Sequence, residues 1–273
     1  MPTTVDEAVA MLGDAPAVPM AGGTDLLVHW PGRLAEHEKT YIDLSGLSEL
    51  QTHEWTDSEL VLGAMTTYWD IIRDPKSVEV FPMLVEAART VGAVQIQTRG
   101  TWAGNIANAS PAADGVPVMM ALGAIVELTG PEGVTEVPLD EFYVGYKQTQ
   151  RRADQLITRI RIPLRESSFE SFVKVGTRAA QAITKVGLAM TRTDAGWRVV
   201  VNSMAPTVCR CPTIEKMLDD KTPVTKPADF AAAIAADVSP IDDIRSTAEY
   251  RATVLARVLY HELAGYCPWV GGG

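Results

Sequence analysis

Cysteine is scarce in this sequence: Cys209, Cys211 and Cys267 are the three found in 273 residues. Three is an odd number, and the spacing suits neither a disulfide framework nor a four-thiolate metal site, so a reducing cytoplasm is the expected compartment. Clustered basic residues are missing as well. With 34 acidic against 24 basic residues the formal net charge is −10. An acidic chain without a basic face cannot neutralise a run of phosphates, which argues against nucleic acid and disfavours an anionic membrane surface. No apolar stretch reaches the roughly 18 residues of a membrane span, and Met1 to Gly13 has no basic segment followed by an apolar one, so neither a span nor a secretory leader is expected.

The familiar catalytic signatures are absent too. There is no G-x-G-x-x-G after a strand, no phosphate-binding G-x-x-x-x-G-K, no G-x-S-x-G and no H-E-x-x-H; His261-Glu262 lacks the second histidine. His29, His37, His53 and His261 are scattered and read as surface or helix residues. Cys209-Arg-Cys211, with Cys267 alone to help, cannot complete a conventional metal site. The catalytic and metal assignments are therefore both none.

What the sequence does contain is a globular composition, 47% hydrophobic and 21% charged, long enough for one large domain or two ordinary ones. Thr4-Val-Asp-Glu7 reads as a capping box for a first helix ending at Gly13. A strand at Ala17 to Ala21, a glycine turn and a helix from Asp25 follow, then strands at Tyr41 to Leu44 and Leu60 to Ala64 and a short helix at Thr67 to Ile72. Val80, Leu84, Val85, Ala88 and Val91 recur at helical spacing and predict one helix from Ser77 to Val91. Ser110-Pro111 is a favourable start for a buried helix through Leu122, and a strand at Ala124 to Leu128 comes next. Gln155 to Ile162, Phe169 to Val175, Ala182 to Thr191 and Trp197 to Asn202 read as a meander of antiparallel strands, and a last helix spans about Thr247 to Gly265. The expected class is α+β, with the best single boundary between Pro163 and Ser168.

Two glycine-bearing loops carry the chemistry. Ala21-Gly-Gly-Thr-Asp25 lies between a strand and a helix, and Gly100-Thr-Trp-Ala-Gly-Asn105 precedes a helical stretch. Consecutive glycines let backbone N–H groups converge on an anion, so two such nests suit the diphosphate of a dinucleotide without any lysine or arginine. Asn105, Asn108, Ser110 and Asp114 beyond the second loop offer groups for sugar hydroxyls. Taken singly, each loop is equally readable as an ordinary turn, and Ser110 as a helix cap.

These segments also carry a resemblance. Ala21-Gly-Gly-Thr-Asp-Leu-Leu27, Leu62-Gly-Ala64, Gln97-Thr-Arg-Gly-Thr-Trp-Ala-Gly-Asn-Ile-Ala-Asn-Ala-Ser-Pro-Ala-Ala-Asp114, Phe172-Val-Lys-Val-Gly176 and Ile241-Asp-Asp-Ile-Arg-Ser-Thr-Ala-Glu-Tyr-Arg251 occur in that order. The sequence resembles, over nearly its whole length, the medium, FAD-binding subunit of molybdenum hydroxylases, the group containing carbon monoxide dehydrogenase and xanthine dehydrogenase. The resemblance implies a two-subdomain FAD-binding fold of the PCMH type in residues 1–163, split at about 57/58. A C-terminal domain, 164–273, would hold an antiparallel three-stranded sheet with helices.

The same resemblance implies the site. Met20, Ala21, Gly22, Gly23, Thr24, Asp25 and Leu26 would wrap one side of the FAD diphosphate, and Thr101, Gly104 and Asn105 the other. Asn108 and Asp114 would face the phosphate and ribityl region, and Val91, Ile157 and Lys174 would lie by the flavin. Trp102 and Ala103 depart from the family pattern and are expected to set a bulky ring and a methyl near the diphosphate. The implied role is electron relay in a cytoplasmic complex, the implied partners being a large molybdopterin-binding subunit and a small iron–sulfur subunit in a dimer of heterotrimers. The molybdenum cofactor and [2Fe-2S] clusters would sit in those partners, and the acceptor would be NAD, oxygen or a quinone. A stand-alone flavin oxidase of the same superfamily and a cofactor-free assembly subunit are the alternatives.

Overall fold

The computed structural model describes residues 1–29, 32 and 39–271, and His37 lies outside them. Thr4 caps α1 (Val5–Asp14), its Oγ1 accepting from the Glu7 N–H at 3.2 Å. The other half of the expected box is displaced by one residue, because the Glu7 carboxylate takes the N–H and hydroxyl of Thr3 instead. Helix α1 buries Ala8, Val9 and Leu12 and leads into β1 (Ala17–Met20), the short α2 (Leu26–His29) and β2 (Thr40–Asp43). Strands β1 and β2 pair in parallel, Ala17 opposite Thr40.

A hairpin of β3 (His53–Trp55) and β4 (Glu59–Gly63) opens the next unit, which the sequence pattern shows only in its second strand. Helices α3 (Tyr68–Arg73), α4 (Pro75–Val80), α5 (Pro82–Thr90), α6 (Val94–Gln97), α7 (Trp102–Asn108) and α8 (Gly115–Ala121) follow. The single helix expected from Ser77 to Val91 is thus two. Pro82 has no N–H to donate and drives the preceding Phe81 out of the helical region, to φ −125 and ψ 59. Leu84, Val85 and Ala88 are buried as expected, whereas Val80, on the separate helix, is exposed. Nor does Ser110 start α8: its hydroxyl accepts from the Ala112 N–H at 3.3 Å, and Asp114 occupies the cap position.

Strands β5 (Ile125–Gly130), β6 (Gly133–Pro138), β7 (Tyr143–Gly145), β8 (Gln148–Thr149) and β9 (Leu156–Pro163) complete this part. The five-stranded antiparallel sheet has the order β3-β4-β9-β5-β6. Strand β9, expected as the first rung of the later meander, is therefore the middle of this sheet. On its core face Ile160 and Ile162 lie opposite Leu62 and Leu60, all fully buried. On the other face Arg161 reaches Glu59 at 2.9 Å and Glu136 at 2.6 Å, the alternation that a half-buried strand requires.

Strands β10 (Phe169–Val175), β11 (Val186–Thr193), β12 (Gly196–Asn202) and β13 (Cys209–Arg210) form the second sheet in sequential antiparallel order. The expected three strands gain a two-residue fourth, Cys209 pairing with Val201, and β11 begins at Val186 rather than Ala182. Both faces of this sheet are covered. Leu188, Met190, Val199 and Val201 pack with α9 (Pro212–Asp219), α10 (Ala231–Asp237) and α11 (Ala248–Ala264). Ala189, Val200 and Phe172 face the other way and join the core of residues 1–163. Burial on two sides explains why β11 and β12 read as nearly unbroken apolar runs.

Candidate cofactor-binding site

Strand β1 delivers the chain to the first glycine loop, and close packing dictates its residues. A Cβ on Gly22 would stand 1.8 Å from the carbonyl oxygen of Arg99, so the backbones of the two glycine loops touch at this point. Gly23 has φ +71, a conformation that side chains disfavour. The turn closes with the Leu27 N–H donating to the Gly23 carbonyl at 2.9 Å. Among the described residues the N–H groups of Gly22, Gly23 and Thr24 have no hydrogen-bond partner, so the first loop keeps its donors for something else.

The second loop keeps fewer free donors than the nest the pattern suggests, because several of its N–H groups are used within the fold while those of Thr101 and Ala103 have no partner among the described residues. Trp102 N donates to Thr66 O at 3.2 Å, Gly104 N to Thr101 Oγ1 at 3.0 Å and Asn105 N to Thr101 O at 3.0 Å. What this loop presents is a bare backbone face at Gly104, where a Cβ would crowd Thr101 Oγ1 at 2.8 Å, together with the amides of Asn105 and Asn108. Asn105 Oδ1 is buried without a partner, an acceptor whose desolvation only a further donor relieves.

Between the loops lies a cavity of about 520 Å³, within the range of small-molecule sites. Ala21 to Leu26, Val91, Thr101, Gly104, Asn105, Asn108 and Ile157 all line it. Met20 stands just behind, its carbonyl accepting from Leu44 N at 3.0 Å, and is not part of the lining. Asp114 lines a larger open cleft of about 1620 Å³ next door. Asp25, Leu26, Ile96 and Asn108 belong to both walls, so the two spaces form one continuous trough. Lys174 lines neither and is no outward-facing strand residue: its Nζ donates to Asp114 Oδ2 at 2.7 Å and to Thr90 O at 2.9 Å. Thr184 donates to the other Asp114 oxygen, and Asn202 holds Ala113 O at 2.7 Å. Burial pushes the Asp114 carboxyl above its ordinary range, against the opposing pull of Lys174.

The trough also holds residues that no motif announces. Tyr68 is buried in its wall, and burial together with the charge of Asp114 pushes the phenol pKa far up. Arg151 lines the cavity as well, so the space between the glycine loops has one cation in its wall. Its Nη1 donates to Gln155 O at 2.6 Å and Arg152 O at 3.0 Å, and burial lowers its pKa. Trp102 is fully buried with its ring against Tyr68, 4.7 Å between centroids, and does not crowd the cavity as the sequence departure suggested. Ala103 does line it.

Elsewhere, burial raises the Cys209 and Cys267 thiols to about 11 and the Cys211 thiol well above its ordinary value. Among the described residues no group of three His, Cys, Asp or Glu side chains is placed to hold a metal ion, and no helix is long and apolar enough to cross a membrane.

Residues 1–165 match the family model for the FAD binding domain in molybdopterin dehydrogenase, and residues 171–264 that for the CO dehydrogenase flavoprotein C-terminal domain. The carbon monoxide dehydrogenase medium chain of Hydrogenophaga pseudoflava is 31% identical, with 96% of this chain and 94% of that one covered. The xanthine dehydrogenase FAD-binding subunit of Escherichia coli O157:H7 is 28% identical over 91% of this chain and 88% of its own length. The solved structure of the Hydrogenophaga pseudoflava carbon monoxide dehydrogenase that lacks the Mo-pyranopterin moiety superposes with a TM-score of 0.86 at 29% identity, covering 96% of this chain and 94% of that one. The chain thus belongs to the family of FAD-binding flavoprotein subunits of molybdopterin dehydrogenases.

Proposed function

We propose that this chain is the FAD-carrying electron-transfer subunit of a molybdenum hydroxylase complex, taking electrons from iron–sulfur clusters of a partner and passing them to an external acceptor. The observation that carries this reading is the trough: unpaired N–H groups at Gly22, Gly23 and Thr24 line one cavity with the backbone of Gly104 and the residues Asn105 and Asn108 of the second loop. Those donors suit the phosphates of FAD, with Arg151 close by, while the neighbouring cleft with Asp114 and Thr184 suits the ribityl chain and ring. Bound there, FAD supplies a centre that takes electrons singly and releases them as a pair. The chain's own residues bind, orient and insulate it: Val18, Leu44, Ala64, Leu156 and Ile157 give an apolar wall that keeps water off one side.

Residues 1–163 form the FAD-binding domain in this reading, with subdomains of about 1–57 and 58–163, and 164–273 form the C-terminal domain. The partners are a large molybdopterin-binding subunit and a small iron–sulfur subunit, assembled as a dimer of heterotrimers in the cytoplasm. The relatives named as medium chains support partners on either side of it in size. The test is purification with the partner chains: a flavin spectrum in this chain and co-purification of a molybdenum-containing chain are expected. A colourless chain overturns the reading in favour of an assembly subunit, and turnover of an organic substrate by the isolated chain overturns it in favour of a self-sufficient oxidase.

A further inference from the structure

The segment Ile241 to Arg251 has no part in the 520 Å³ cavity, yet it is built with care on the far wall of the open cleft. Asp243 Oδ1 accepts from Arg245 N at 2.8 Å and Ser246 N at 3.0 Å, and Asp243 N closes the turn on Ser246 O at 2.9 Å. Asp242 takes Ala248 N at 2.6 Å, and Thr247 caps α11 through Tyr250 N. Beneath the turn stands Arg251, 3% exposed, its Nη2 on Asp243 at 2.9 Å and its Nη1 on the carbonyls of Lys185 and Ser203. A buried guanidinium and a tightly bonded turn hold out a side chain that has nothing to pack on: Ile244 is 98% exposed, and Ile241 beside it 66%. Ile183 and Tyr146, also exposed, lie across the same cleft. Single exposed apolar residues are ordinary, but three lining one cleft, with Ile244 projecting beside it, mark an interaction surface.

We propose that the turn from Ile241 to Ser246 is a docking knob for the subunit that delivers electrons to this chain, an iron–sulfur protein offering an apolar pocket to Ile244. The cleft that the knob borders is continuous with the flavin trough through Asp25, Leu26, Ile96 and Asn108, so a partner seated there stands beside the cofactor. A second copy of this chain is the poorer occupant: each copy carries a net charge of −10, and a flavin set against another flavin has no electron source. The proposal rests on the FAD-carrying reading above.

Its test uses the chain co-expressed with the small iron–sulfur chain of its complex, comparing wild type, I244E, I241E/I244E and, as a control on a distant exposed valine of β6, V134E. The I244E and double variants are expected to keep the flavin absorbance and melting temperature of the wild type while binding the iron–sulfur chain about tenfold or more weakly. V134E is expected to bind as the wild type does. Wild-type affinity in the double variant overturns the docking assignment and leaves the flavoprotein reading standing. A wild-type dimer that I244E disperses overturns it in favour of self-association, and a wild-type chain without flavin overturns the functional reading and the knob with it.

Discussion

Gly22 is where the two halves of the cofactor trough are joined, and its role differs from that of its neighbour. The Arg99 carbonyl blocks any Cβ at position 22, whereas a Cβ on Gly23 would meet only the Leu27 and Met20 side chains at 3.9–4.0 Å, so its positive φ is what calls for glycine. Gly22→Ala should therefore push the loops apart, costing about 1–3 kcal/mol as other overpacked sites do, and should release flavin. Gly23→Ala should cost about 1–2 kcal/mol in backbone strain and keep the fold. Melting temperature and the ratio of flavin to protein absorbance measure both, and a Gly22→Ala chain with wild-type values of each would refute the packing argument. The glycine loop was legible in the sequence because its requirement is local: two adjacent glycines, one needed for contact and one for φ. Arg151 and Tyr68 were not, since they reach the trough through tertiary packing from positions that carry no motif.

At the level of elements, Asp74 shows how one side chain stitches several together. It ends α3 and caps α4, accepting from Ser77 N at 3.0 Å and Ser77 Oγ at 2.7 Å, and it reaches Trp55 Nε1 of β3 at 2.9 Å. Partial burial works against its charge, but the hydrogen bonds from Ser77, Trp55 and Lys76 outweigh burial and hold the carboxyl below its ordinary value of 3.8. A lowered folded pKa means that this stabilisation is fully present above about that value and is lost as pH falls through the lower one. Asp74→Ala should cost about 1–2 kcal/mol at neutral pH, and denaturant titrations from pH 7 down to 3 should show the gap between variant and wild type narrowing. Elements with local punctuation were readable in just this way: α11 runs from Ala248 to Ala264 between Thr247 and Gly265, as its caps announce. The break at Pro82 was masked because α4 and α5 continue one helical spacing, and the sheet that β9 joins was hidden because its partners lie far along the chain.

The whole molecule depends on that long reach. Strand β9 pairs Leu60 with Ile162 and Val126 with Ile160, so the hairpin of β3 and β4 and the hairpin of β5 and β6 are joined into one sheet by it. A fragment of residues 1–155 should accordingly remain protease-sensitive and bind no FAD, while the full chain resists; a protected 1–155 fragment would show that the hairpins can close without their middle strand. Pairings so distant in sequence are slow to form. The central strand is also the last of its sheet to leave the ribosome. Between the completion of β6 at Pro138 and the arrival of β9 at Leu156–Pro163, then, two open strand edges await a segment not yet made. A chain halted inside that interval carries both edges bare at once, the condition in which strands pair with the wrong neighbour.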